Sequence, residues 1–133
     1  MKVSPYLSFN GNCAEAIAFY EKAFNVKSEV KLYKDAPEEL KFAPDNLVYD
    51  AQFRIGNDTI MLHDLAPEAP ATIGDNIMIT IKFDEADTDK IKAVFNALKE
   101  GGEVTMELGE VSWSKCFGLL IDKFGVNWNV CQN

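Results

Sequence analysis

The chain has 133 residues, enough for one domain that buries roughly two thirds of the surface its unfolded form exposes. Hydrophobic residues make up 47% of it and charged residues 26%, with 9 phenylalanines, which provides a core and excludes a disordered chain. The net charge of −8 argues against nucleic acid and against an anionic membrane, both of which need a basic face, and leaves a cationic or neutral small ligand compatible.

Three cysteines, Cys13, Cys116 and Cys131, make an odd count with no close-spaced pair, as expected of reduced thiols rather than a disulfide framework. No basic stretch leads into an apolar one at the start, and no run of about 18 apolar residues occurs anywhere. The expectation is a soluble, cytoplasmic protein.

In chain order, "VSPYLSF" is β-prone and predicts a strand over 3–9. "NCAEAIAFYEKAF" sets Cys13, Ile17, Tyr20 and Phe24 at helical spacing, predicting a helix over 13–24 with Asn12 as N-cap and Asn25 as a left-handed terminator. "SEVKLY" predicts an edge strand over 28–33. The charged run that follows, to Asp45, reads as a solvated loop or a lid. "NLVYDAQFRIGNDTIMLHD" predicts two strands, 47–55 and 59–64, around a "GND" turn. The connector over 65–75, "LAPEAPATIGD", carries no hydrophobic period.

The plan then restarts. "NIMITIKF" predicts a strand over 76–83, with Ile77, Ile79, Ile81 and Phe83 turned to a helix and Met78, Thr80 and Lys82 turned away. "DTDKIKAVFNALKEGG" predicts a helix over 88–99, capped by Asp87, burying Ile91, Val94, Phe95 and Leu98 and ended by Gly101 and Gly102. Strands over 103–108, 115–121 and 127–131 complete it; the last puts Val126, Trp128 and Val130 on one face and Asn127 and Asn129 on the other. Residues 1–64 and 76–133 thus each read β-α-β-β-β. The fold class is α+β: one domain of paired βαβββ modules, two curved sheets each covered on one side by a helix, with the uncovered faces free to form a cleft.

The stretches "PYLSFNGNCAEAIAFYEKAF", "IML.D" and "W...FG...DKFGV.W", with the duplicated plan, resemble the PhnB-like proteins of the vicinal oxygen chelate superfamily, which includes glyoxalase I, bleomycin-resistance proteins and extradiol dioxygenases. The resemblance spans essentially the whole chain. It implies the paired βαβββ fold and a homodimer, and does not single out one reaction. Its metal-dependent members hold a divalent ion with one His or Glu from each of four strands. The corresponding positions fall here on Pro5 (or Ser4, in the register that buries Leu7 and Phe9), Met61, Met78 and Asn129. Thioethers and a carboxamide are poor ligands for Zn²⁺, Ni²⁺, Mn²⁺ or Fe²⁺, so no metal and no other cofactor is expected.

His63, the single histidine, shares a face with Met61; it is a general base, a ligand-orienting partner, or a strand-end histidine near solvent. A nucleophilic Cys116 would need His63 nearby and a lowered pKa. Cys13 and Trp128 read as core, while Trp113 reads as cleft wall, dimer interface or core. Met61 and Met78 either line a ligand site or fill the space of an ion. The glycines form no G-x-G-x-x-G, P-loop or G-x-S-x-G. With no glycine-rich strand-to-helix turn to hold a nucleotide cofactor, the methyltransferase label that such families sometimes carry is not supported.

Three functions follow: a metal-free cleft binding a small organic molecule, a divalent-metal enzyme of the glyoxalase or dioxygenase type, and a metal-free enzyme using His63 and Tyr6. The first is preferred. Strand alternation gives its lining as Tyr6, Met61, His63, Met78, Thr80, Asn127 and Asn129; Trp113, which no alternation places, is expected near the mouth.

Overall fold

The computed structural model describes residues 1–84 and 87–133. It divides into two compact units, Met1–Thr72 and Ile73–Asn133. The first contains β1 (Tyr6–Phe9), α1 (Cys13–Phe24), β2 (Glu29–Leu32), two short 3-10 turns (Tyr33–Asp35 and Glu38–Leu40), β3 (Val48–Ile55) and β4 (Asp58–Asp64). The second contains β5 (Met78–Phe83), α2 (Thr88–Leu98), β6 (Glu103–Val111), β7 (Ser114–Ile121) and β8 (Asn127–Gln132). Each unit is a four-stranded mixed sheet, in the orders β1-β4-β3-β2 and β5-β8-β7-β6. In both, the strand before the helix pairs in parallel with the last strand, and the other pairs are antiparallel. This is the expected α+β fold.

Helical periodicity accounts for the packing of both helices. The stripe Cys13, Ala16, Ile17, Tyr20 and Ala23 is buried, and Tyr20 and Phe24 lay their rings on Phe53 of β3 at 5.9 and 5.8 Å between centroids. Asn25 ends α1 at φ 52°, in the left-handed conformation that asparagine tolerates. In the second unit Ile91, Val94, Phe95 and Leu98 are buried as the periodicity requires. Gly118 lets α2 settle on β7, because a Cβ there would stand 2.7 Å from the Phe95 ring and 3.1 Å from the Leu108 backbone.

Several expectations need correction. β1 begins at Tyr6 rather than residue 3: Pro5 has no N–H to enter a ladder, although its carbonyl accepts from Met61 N at 2.9 Å. Ile77 is 75% exposed because pairing starts one residue later, at Met78↔Asn127, so it does not belong to the helix-facing set. β6 runs on to Val111, since register shifts near Met106 and Gly109 carry the strand past the glycine that would otherwise end it. Asn12 and Asp87 occupy their N-cap positions without side-chain capping bonds.

The donors at the start of α1 go elsewhere. Asp64, at the end of β4 and 1% exposed, accepts from Gly11 N (2.9 Å) and Cys13 N (3.0 Å) with one oxygen and from Val48 N (2.9 Å) with the other. One carboxylate thereby ties the β1–α1 turn to the entry of β3. Asn10 clamps the connector in the same unit, donating to Ala71 O at 3.1 Å and accepting from Ala71 N at 2.7 Å.

Candidate functional site

On the side of the first sheet away from α1, two polar rows cross the strands. Ser8 of β1 pairs with His63 of β4, and Lys31 of β2 with Asp50 of β3; since Ala51 pairs with Leu62, Asp50 is the residue next to His63. The second row is Tyr6, Met61, Gln52 and Glu29, in which Gln52 Nε2 donates to Glu29 at 3.0 Å.

Tyr6 and His63 stack at 4.3 Å, the Tyr6 hydroxyl donates to Asp50 Oδ1 at 2.8 Å, and Ser8 Oγ lies 2.8 Å from His63 Nε2. Burial, helped by the hydrogen bond and charge of Asp50, pushes the Tyr6 phenol far up, so the ring is a neutral donor rather than a base.

Tyr6, Asp50 and His63 form part of the floor of a hollow of about 850 Å³, a volume suited to a small organic ligand. Tyr33, Tyr49 and Lys31 continue the wall, Leu40 and Phe42 close over from the segment after β2, and the start of the connector supplies Leu65, Ala66, Glu68 and Ala69. A bulge builds this wall. Lys31 faces Asp50 and the next residue, Leu32, faces Val48, so Tyr49 is left without an opposite number. Consecutive residues Tyr49 and Asp50 can therefore both reach the hollow, and Tyr49 meets buried Tyr33 edge to face at 5.6 Å. Strand alternation did not identify these residues. The available signal was a carboxylate in mid-strand, in "VYDAQ".

His63 is half-buried, and its desolvation lowers its pKa below the ordinary 6.5 despite the opposing charges of Asp50 and Asp64. A base whose folded pKa is depressed favours the fold while neutral. That contribution is full above the unfolded pKa and is lost as pH falls from there through the folded value. As the single histidine, His63 should give one NMR titration curve with its midpoint below that of the unfolded chain; a midpoint at or above 6.5 would contradict the burial argument.

The structure brings Tyr6, Met61 and His63 together on this sheet, and only Tyr6 and His63 line the hollow. On the second sheet it brings together Met78, Thr80, Asn127 and Asn129: Met78 pairs with Asn127 and Thr80 with Asn129, whose Nδ2 donates to Thr80 Oγ1 at 3.4 Å. Trp113 stands apart from that row at the β6–β7 turn, 62% exposed and edge-on to Phe117 at 5.0 Å. Cys13, Cys116 and Cys131 are buried, and the Cys13 thiol is pushed up by burial, away from thiolate chemistry. Among the described residues, no helix is long and apolar enough to cross a membrane.

A protein-family model described as 3-demethylubiquinone-9 3-methyltransferase matches residues 1–131. YjdN of Escherichia coli (strain K12) is 32% identical, over 98% of this chain and 94% of its own length. The chain belongs to the 3-demethylubiquinone-9 3-methyltransferase, or PhnB-like, family. Among solved structures, PA1353 of Pseudomonas aeruginosa has a TM-score of 0.87 at 32% identity, covering 100% of this chain and 98% of that one. The PhnB protein of Bacillus cereus has a TM-score of 0.71 at 26% identity, with full coverage of both chains. The fold extends to the Listeria monocytogenes fosfomycin resistance protein FosX, solved with Mn(II), at a TM-score of 0.67 and 13% identity over 100% of this chain and 92% of that one. That likeness places the PhnB-like chain in the vicinal oxygen chelate fold.

Two groups suggested by these likenesses can be tested against the side chains present. A divalent ion is a poor fit: Met61 and Met78 offer thioethers, Asn129 a neutral amide already directed at Thr80, and Ser4 or Pro5 no anionic donor. The described residues also contain no group of three His, Cys, Asp or Glu able to hold a metal. Protein purified without chelator should carry far less than one equivalent of Zn, Ni, Mn or Fe; a stoichiometric metal lost on Asn129→Ala or His63→Ala would restore the metalloenzyme. A methyl-donor nucleotide fits no better in the first unit. The amides of Gly11 and Cys13 in the β1–α1 turn, the type of donor that cradles such cofactors, are already consumed by Asp64. The counterpart turn before α2 includes residues outside those described.

Proposed function

We propose that this PhnB-like chain binds a small organic molecule, without a metal, in the hollow over the open face of its first sheet. The observation that carries the reading is the roughly 850 Å³ hollow itself, floored by the stacked Tyr6–His63 pair and Asp50. Its surfaces are mostly aromatic and apolar with a few fixed polar groups, which suits holding and orienting a ligand. The row Met78, Thr80, Asn127 and Asn129 is proposed as a second ligand-contacting surface.

The test is a thermal-melting screen across a metabolite panel, with Ala66→Trp as the variant that fills the hollow without altering the sheet. A ligand at a hundred times its Kd stabilises the wild type by about 2.7 kcal/mol and should do little for the filled variant. No hit, or equal shifts in both proteins, would defeat the proposal.

The chain is also proposed to form a homodimer in solution. Each sheet ends in two edge strands, β1 and β2 or β5 and β6, with unpaired backbone groups. Sedimentation at micromolar concentration should give twice the chain mass of 14.9 kDa, and a single-chain mass would rule the dimer out.

A further inference from the structure

The charge and rings of the hollow point to the chemical class of its occupant, an inference that rests on the proposed ligand-binding reading. We infer that the hollow selects an organic cation, an amine or quaternary ammonium with an apolar body, seated on the rings of Tyr6, Tyr49 and Phe42 with its charge toward Asp50.

The first support is the state of Asp50. Lys31 is its direct neighbour across the β2–β3 ladder, yet among the described residues the two form no ion pair within 4 Å. Asp50 is instead held by the neutral Tyr6 hydroxyl, which orients the carboxylate without cancelling its charge. Glu68 adds a second carboxylate to the lining, against the single ammonium of Lys31. The hollow therefore carries net negative charge when His63 is neutral.

The second support is the placement of the rings. Tyr6 is 45% exposed and Phe42 58% exposed, so neither ring is spent on the core. Both line the hollow, as does Tyr49. Aromatic faces attract a cation electrostatically, and most strongly where water is excluded, while their edges and the apolar Leu40 accept the body of the ligand. An anion would meet ring faces and two carboxylates, which repel it. A neutral molecule would gain the apolar contact and at most a hydrogen bond to a carboxylate, without the attraction between opposite charges.

The test uses three probes of similar size: benzyltrimethylammonium, 3-phenylpropan-1-ol and 3-phenylpropanoate. Each is titrated into the labelled full chain while the amides of Asp50, Ala51, His63 and Leu65 are followed by NMR. The cation should bind about tenfold more tightly than the alcohol, and the carboxylate most weakly. Asp50→Asn should shrink the preference for the cation over the alcohol severalfold, leaving the part that the ring faces supply. Phe42→Ala, at an exposed loop position that does not endanger folding, should weaken the cation more than the alcohol and decides the matter if the Asp50 variant does not fold. Equal binding of cation and alcohol by the wild type, tighter binding of the carboxylate, or variants that leave the preference unchanged would overturn the charge assignment while leaving the hollow as a binding site. No perturbation of these amides by any probe would overturn both.

Discussion

Asp64→Ala is expected to cost about 4 kcal/mol, because it strands the buried N–H groups of Cys13 and Val48 and the part-buried one of Gly11. Gly11, Cys13 and Val48 all donate to this carboxylate, whose residue is 1% exposed, and the Tyr33 hydroxyl donates to its carbonyl at 2.7 Å. Orphaned donors of this kind cost about 1–3 kcal/mol each, against a total stability of about 5–15 kcal/mol. For a chain of this length the melting temperature should fall by roughly 15 °C. Asp64→Asn should fall between, since an amide keeps one acceptor oxygen and turns a donor toward another donor. An alanine variant melting within a few degrees of wild type would show that the β1–α1 turn and the entry of β3 do not depend on this clamp. The Tyr33 bond should survive the substitution, because its acceptor is the backbone carbonyl that alanine keeps.

Trp128→Ala is the second large effect, at about 3–5 kcal/mol. Trp128 is fully buried, paired with Ile79 and Leu120 on the neighbouring strands, and its Nε1–H donates to Asp122 Oδ2 at 2.8 Å. Asp122 also accepts from Phe124 N and Val126 N, so the indole anchors the carboxylate that shapes the β7–β8 turn. Trp128→Phe separates the two contributions: it keeps most of the buried area, loses the donor, and should cost about 1–2 kcal/mol. Urea unfolding followed by circular dichroism measures both variants. Equal losses in the two would assign the whole effect to the hydrogen bond rather than to packing.

These two residues also mark the limits of what could be read from the chain. Trp128 was legible as core, because period-two alternation in "VNWNV" sets it opposite Asn127 and Asn129. Asp64 directly follows His63 and so takes the opposite face by alternation, but its three backbone donors come from positions 11, 13 and 48, which no local pattern connects. The site divides in the same way. Tyr6 and His63 followed from alternation and Asp50 lies on their face in phase with Gln52, whereas Tyr49 reaches the hollow through a bulge, where alternation fails for a residue. Leu40 and Phe42 come from a segment whose charges made it read as a solvated loop or a lid, without naming which residues would face a site, and Tyr33 from a strand end that folds over as a 3-10 turn.

The sequence by itself therefore determined the order of elements, the duplicated βαβββ plan, the buried stripe of each helix and the residue types at the metal positions of related proteins. The first three depend on local periodicity, which 3.6-residue and two-residue repeats write directly into the chain, and the last on the family resemblance that aligns those positions. Only the tertiary structure decided which polar groups meet. Strand register, the bulge at Tyr49 and the fold-back of residues 33–42 are fixed by contacts between distant segments, whose energy depends on the packed sheet rather than on neighbouring letters.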